Sequence, residues 1–184
     1  MKLGLIAASI VATLMGVYVV PATALMEAIS INTMVQTSDS VVRGEVRATE
    51  AHWNASGDQI VTRATIRVDE DFKGELSKDV ITIEYPGGEI DDLVMMVSDS
   101  VQLTVGEDVI IFLEKDQKGL EQQKDQKGLE QPLYFVVGSA QGKYAIGLDG
   151  NVETPEFLLE GQQRKQNRQM SEADLIRKIK DALE

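Results

Sequence analysis

"QIVTRATIRVDEDF", residues 59–72, decides the fold. Ile60, Thr62, Ala64, Ile66 and Val68 fall on one face, and Arg63, Thr65, Arg67 and Asp69 on the other. A period of two places one face on a core and the other in water, which is the signature of a half-buried strand. The preceding run, "SVVRGEVRATEAHW" (40–53), alternates in the same way. Its inward set is Val42, Gly44, Val46 and Ala48, against Arg43, Glu45, Arg47 and Thr49. Asn54-Ala55-Ser56-Gly57-Asp58 joins the two, so the pair is a long hairpin.

Strand signals continue outward from this hairpin. "VITIEYP" ends at Pro86, which cannot donate to a ladder and so closes a strand. Leu93–Val97, Asp108–Leu113 and Leu133–Gly138 give three more strands. "GKYAIGLDGNVET" gives a last hairpin around a two-residue turn at Asp149-Gly150. Short strands joined by glycine-rich turns imply a mainly β fold, a single OB-like antiparallel β-barrel. Helix is expected at the end, with Ser30 or Asn32 able to cap one turn near residue 31. In "SEADLIRKIKDALE", Ser171 is an N-cap and Leu175, Ile176, Ile179 and Leu183 form one stripe, a C-terminal amphipathic helix.

Between the strands at 108–113 and 133–138, KDQKGLEQ occurs twice, at 115–122 and 124–131. Two copies are too few for a solenoid. Closure entropy grows only with the logarithm of loop length, so the 115–131 duplication reads as a loop insertion in a barrel domain spanning 25–160. Residues 161–184 read as a polar linker and the final helix.

Residues 1–24 differ from the rest, with Lys2, an apolar run from Leu3 to Val20, Pro21 and Ala22-Thr23-Ala24. This is the pattern of a secretory signal peptide, and the expected location is secreted or extracytoplasmic. An uncleaved signal anchor, tethering the chain to a membrane, is the alternative. The full chain carries 18 basic and 30 acidic residues, and removal of the leader takes away a single lysine and no acid. So acidic a chain is not expected to bind nucleic acid or, once processed, an anionic membrane. The absence of cysteine excludes disulfides, thiolate metal sites and a thiol nucleophile.

Chemistry-bearing residues are few. His52, the only histidine, stands beside Trp53, the only tryptophan, with Ser56 and Asp58 close by. No G-x-S-x-G context supports a nucleophile there. Glu89, Asp91 and Asp92 follow a glycine pair and could offer oxygen donors to calcium, although the spacing is not that of a dedicated calcium loop. No catalytic residue is assigned, and no cofactor is required. The expected role is a secreted non-enzymatic binding or accessory module with a protein partner. Trp53, Pro86, Gly87, Gly88, Gln141 and Gly142 are the candidate contacts, an aromatic anchor beside glycine turns. The alternatives are a carboxylate-dependent, calcium-binding hydrolase and a membrane-anchored structural envelope protein.

"TSDSVVRGEVRATEAHW", "IVTRATIRVDEDFKGE", "VITIEYPGGEI", "LTVGEDVIIFLE" and "YFVVGSAQGKYAI" occur in this order. Over residues 38–147 the chain thereby resembles a family of uncharacterised exported bacterial and archaeal proteins. Its members often accompany secreted matrixin-type metalloproteases, so the resemblance implies an extracellular protease as partner. The same order is distantly similar to the netrin and tissue-inhibitor-of-metalloproteinase (TIMP) modules, which implies a five-stranded OB barrel with packed helices. Those inhibitors chelate the protease zinc through an amino-terminal cysteine, and this chain has none to do so.

Overall fold

Alternation over residues 40–73 produces two fourteen-residue strands, β1 (Ser40–Trp53) and β2 (Ile60–Lys73). Asn54 ties off the turn between them. Its N–H donates to the Gln59 carbonyl at 2.8 Å, and its side-chain oxygen accepts from the N–H groups of Asp58 and Gln59. The computed structural model describes residues 28–74, 76, 79–116, 132–153 and 170–184. The expected leader at 1–24, the repeat beyond residue 116 and the polar run at 161–169 lie outside them. No helix among the described residues is long and apolar enough to cross a membrane.

The remaining strands are β3 (Val80–Pro86), β4 (Gly88–Ile90), β5 (Leu93–Met95), β6 (Asp108–Lys115), β7 (Leu133–Val136), β8 (Lys143–Ile146) and β9 (Val152–Glu153). In the main sheet the order is β1-β2-β3-β7-β6-β8-β9, and β1 also pairs with β6. That extra pairing closes β1, β2, β3, β7 and β6 into a five-stranded barrel. The fold is mainly β, an OB-like barrel with a C-terminal helix. One pairing departs from the antiparallel expectation: β3 and β7 run parallel, Thr82 opposite Leu133 and Ile83 opposite Tyr134. The reason is parity, because an odd ring of strands cannot alternate in direction all the way round.

Closure bends the first hairpin. The β1–β2 register slips between Val41 and Val42, between Arg43 and Gly44, and between Val46 and Ala48. Such bulges add twist and turn a sheet into a barrel. The third slip makes Arg47 an extra residue and reverses the faces that follow. Val42 and Val46 line the core as expected, but Ala48 is exposed, and Thr49, Ala51 and Trp53 lie opposite the inward-facing Ala64, Thr62 and Ile60. Gly44 permits a close approach of β1 to β2: a Cβ there would stand 2.3 Å from the Arg67 carbonyl oxygen.

Two cores share β6. Val109, Ile111 and Leu113 point into the barrel with Val46, Ile66, Ile83 and Tyr134. Ile110 and Phe112 point outward, beneath two helices. One helix is α1 (Ile31–Thr37), seven residues capped by Ser30, whose hydroxyl accepts from the Thr33 N–H. The other is α2 (Glu172–Leu183), capped by Ser171 through the Asp174 N–H. Leu175 and Ile179 are fully buried, Ile176 packs at the margin, and Leu183 is exposed while Ala182 takes its place in the core. Each large apolar side chain so buried contributes about 1.5–3 kcal/mol, which is why a short helix such as α1 persists on the barrel. The β8–β9 turn is longer than two residues. Gly147 N–H donates to Asn151, whose own N–H and side-chain amide are held by Asp149.

Candidate binding rim

Beyond Val46, β1 leaves β6 and continues with β2 alone, so its end, the 54–59 turn and the end of β3 form one rim of the barrel. Trp53 lies opposite Ile60, and the Ile60 carbonyl accepts from Gly87 N–H at 2.9 Å. Thr62 Oγ1 donates to the Gly87 carbonyl at 2.7 Å, and Ser100 Oγ to the Pro86 carbonyl at 2.6 Å. These bonds fix the Pro86-Gly87-Gly88 corner. From it the β4–β5 hairpin folds back across the β1–β2 face, so closely that a Cβ on Gly88 would meet Thr62 Oγ1 at 2.4 Å and the Ala51 Cβ at 3.0 Å.

The hairpin turns its apolar residues outward. Leu93 is 57% exposed, Val94 63% and Met96 89%, and Trp53, at the end of β1, is 43% exposed. Leu93 and Val94 are consecutive in β5 and so project from opposite faces of the hairpin. The run "LVMMV" reads in sequence as an ordinary strand. What exposes it is that β5 is three residues long and pairs only with β4.

Of the sequence candidates, Trp53, Pro86, Gly87 and Gly88 lie together at this rim, where Trp53 and Pro86 are exposed, Gly88 is half-buried and Gly87 is buried. Gln141 and Gly142 are instead buried in a short 3₁₀ turn (Ser139–Gly142). Gln141 Oε1 accepts from the Ile29 N–H at 2.8 Å, and a Cβ on Gly142 would meet the Val137 carbonyl at 2.2 Å. These two residues hold the fold and offer no exposed contact. The turn is tied to the segment after β5 through Ala140, whose N–H donates to the Asp99 carbonyl.

Histidine and the nearby serine and aspartate do not assemble. His52 Nε2 lies 3.5 Å from Glu84 Oε2, which also accepts from Arg63 Nε at 2.9 Å. Asp58 is occupied within its own turn by the Ser56 hydroxyl at 2.7 Å and the Asn54 amide at 2.9 Å, and these bonds lower its pKa, the serine bond foremost. Glu89, Asp91 and Asp92 are exposed along the β4–β5 turn. Among the described residues no three His, Asp or Glu side chains are grouped to hold a metal ion. Elsewhere the perturbed groups are structural. Burial raises the Tyr85 and Tyr134 hydroxyls, and pushes Tyr144 up to about 12.

Compared with known protein families and with curated proteins, the chain matches none.

Proposed function

We propose that the protein is an exported, non-enzymatic binding module that captures a protein partner on this rim. The observation that carries the reading is the exposed apolar side chains of this rim: Leu93 and Val94 on a hairpin pinned at its root, Met96 just after it, and Trp53 at the end of β1. Aromatic and aliphatic side chains of this kind supply the anchors that carry most of the energy in protein interfaces. Export rests on the amino-terminal leader. The resemblance to proteins that accompany secreted metalloproteases makes such a protease the first partner to test, acting without a zinc-chelating cysteine.

The test is capture from a culture supernatant by the immobilised processed protein, compared with Trp53→Ala and Met96→Asp. Both substitutions fall on exposed side chains, whereas any side chain at Gly88 would lift the hairpin off Thr62 and confuse folding with binding. A partner retained by the parent and lost by both variants is the expected result. Identical capture by all three proteins defeats the reading.

A further inference from the structure

Among the described residues, the end of β1 is an unpaired sheet edge. The last residues of β1 that bond to the β6 side are Val46 and those before it: Val46 N–H donates to Glu107, and Gly106 N–H donates to Val46. From Arg47 to Trp53 no described residue pairs with β1 on the side away from β2. The register shows which groups are free. Asn54 bonds to Gln59 across the turn, so by the two-residue alternation of an antiparallel ladder His52, Glu50 and Ala48 also face β2. Ile60, opposite Trp53, faces β3 instead, since its carbonyl accepts from Gly87. Thr49, Ala51 and Trp53 therefore turn their N–H and C=O groups outward, three donors and three acceptors along about 14 Å of edge.

Apolar surface bounds this edge. Val105 is exposed beside its start, Trp53 stands at its end, and the hairpin bearing Leu93 and Val94, with Met96 just after it, lies over the same face. The charge around it has one sign. Glu50, Glu89, Asp91 and Asp92 are exposed without an ion-pair partner among the described residues, while the nearby Arg47 and Arg63 are engaged by Glu45 and Glu84.

We infer that the rim takes its partner by strand addition: an extended segment alternating apolar and basic residues pairs with Thr49, Ala51 and Trp53. Main-chain bonds supply affinity, the hairpin receives apolar side chains, and the carboxylates select lysine or arginine. This rests on the proposed binding role and names its chemistry.

Trp53 is the only tryptophan, so its emission reports on the edge directly. The probe is a synthetic heptapeptide alternating lysine with valine, titrated into the processed protein. It is compared with a version carrying glutamate for lysine and one N-methylated on its pairing face. The lysine peptide is expected to shift the emission to saturation, with each altered peptide binding at least about tenfold more weakly. Ala51→Pro removes one outward N–H and leaves the β1–β2 ladder intact, so it is expected to weaken binding similarly with unchanged circular dichroism. If that variant misfolds, the N-methylated peptide decides on the unaltered protein. Equal binding of the N-methylated peptide overturns strand addition, and equal binding of the glutamate peptide overturns the basic partner. A dimer in sedimentation that Ala51→Pro dissociates would assign the edge to a second copy of the chain, against the inference. Loss of capture by Trp53→Ala and Met96→Asp with no response to any peptide would leave the rim as a binding surface and refute the edge.

Discussion

Gly44→Ala tests a tight point of the barrel. Gly44 faces Val68 in β2 and Val109 in β6, so β1 cannot move away from one neighbour without being pressed on the other. The new Cβ would lie 2.3 Å from the Arg67 carbonyl oxygen and 2.8 Å from Ile66 Cγ2. The first contact is with backbone, which no rotamer change relieves. Overpacking of this kind costs about 1–3 kcal/mol, and loosening one ladder bond adds about 1 kcal/mol. Restricting the unfolded chain returns about 0.4–1 kcal/mol. The net expectation is a loss of about 1–3.5 kcal/mol, or roughly 2–14 °C in Tm for a domain of this size. Urea unfolding read at an unchanged m value measures it. The control is Gly57→Ala in the 54–59 turn, where φ is +74° but no atom lies within 4 Å. Backbone strain alone there costs about 1–2 kcal/mol before the same unfolded-state gain. If Gly44→Ala falls within about 0.5 kcal/mol of the parent, steric closure is not what glycine provides at this position.

Ser171→Ala removes the α2 cap and is expected to cost about 1 kcal/mol in denaturant titration, with early amide exchange confined to the first turn. Lys73 Nζ donates to the Val35 and Ser38 carbonyls at 2.6 Å each, fastening the end of α1 to β2. Lys73→Met should cost about 1–3 kcal/mol and raise amide exchange through α1 before the barrel opens. Tyr144, edge-on to Phe112 beneath the helices, has its pKa pushed up to about 12 by burial. A folded pKa above the unfolded value of about 10 means that this contribution is whole below pH 10 and is lost as pH rises toward 12. Tyr144→Phe should therefore match the parent at pH 7 and hold its fold to higher pH, as followed by circular dichroism. Asp174 is held below the usual carboxylate range, first by the Ser171 hydroxyl and then by Arg177. Its contribution exists above pH about 4 and falls away as pH drops through the lowered pKa, so Asp174→Asn should flatten the acid limb of α2 unfolding.

The barrel was legible wherever one face of a strand meets water. Arg63, Thr65 and Arg67 betray β2 because their face is solvated, and Ser171 with Leu175 and Ile179 betrays α2 for the same reason. β6 is different: Val109 to Leu113 is buried on both faces, so its residues carry no period. Its apolar run shows a strand and conceals the second core that covers it. α1 was hidden by length, since seven residues with a Ser30 cap gain stability from Met34 and Val35 in that second core. The parallel β3–β7 pair follows from the number of strands in the ring, a property of closure that no single segment carries.

Half of the rim was legible for a related reason. Pro86-Gly87-Gly88 announces a corner, and a lone Trp53 announces an anchor, but neither says which side of the sheet the anchor takes. That is decided by one extra residue. Without the bulge at Arg47, the inward set beginning with Val42 and Val46 would continue through Ala48 and Glu50, driving a carboxylate toward the core and Trp53 to the outer, charged face beside Arg63 and Glu84. With it, Thr49, Ala51 and Trp53 come to the face where the hairpin lies, and Glu50 goes to solvent. A one-residue slip exchanges every side chain between faces, so burying Glu50 would be the penalty for losing this one. The bulge that bends β1 to close the barrel thus also presents the aromatic anchor and the free ladder groups on one surface. Deleting Arg47 would make Val46–Ile66 and Ala48–Thr65 consecutive pairs, so Trp53 should keep its face, and a lowered thermal midpoint would measure what the bend contributes to closing the barrel.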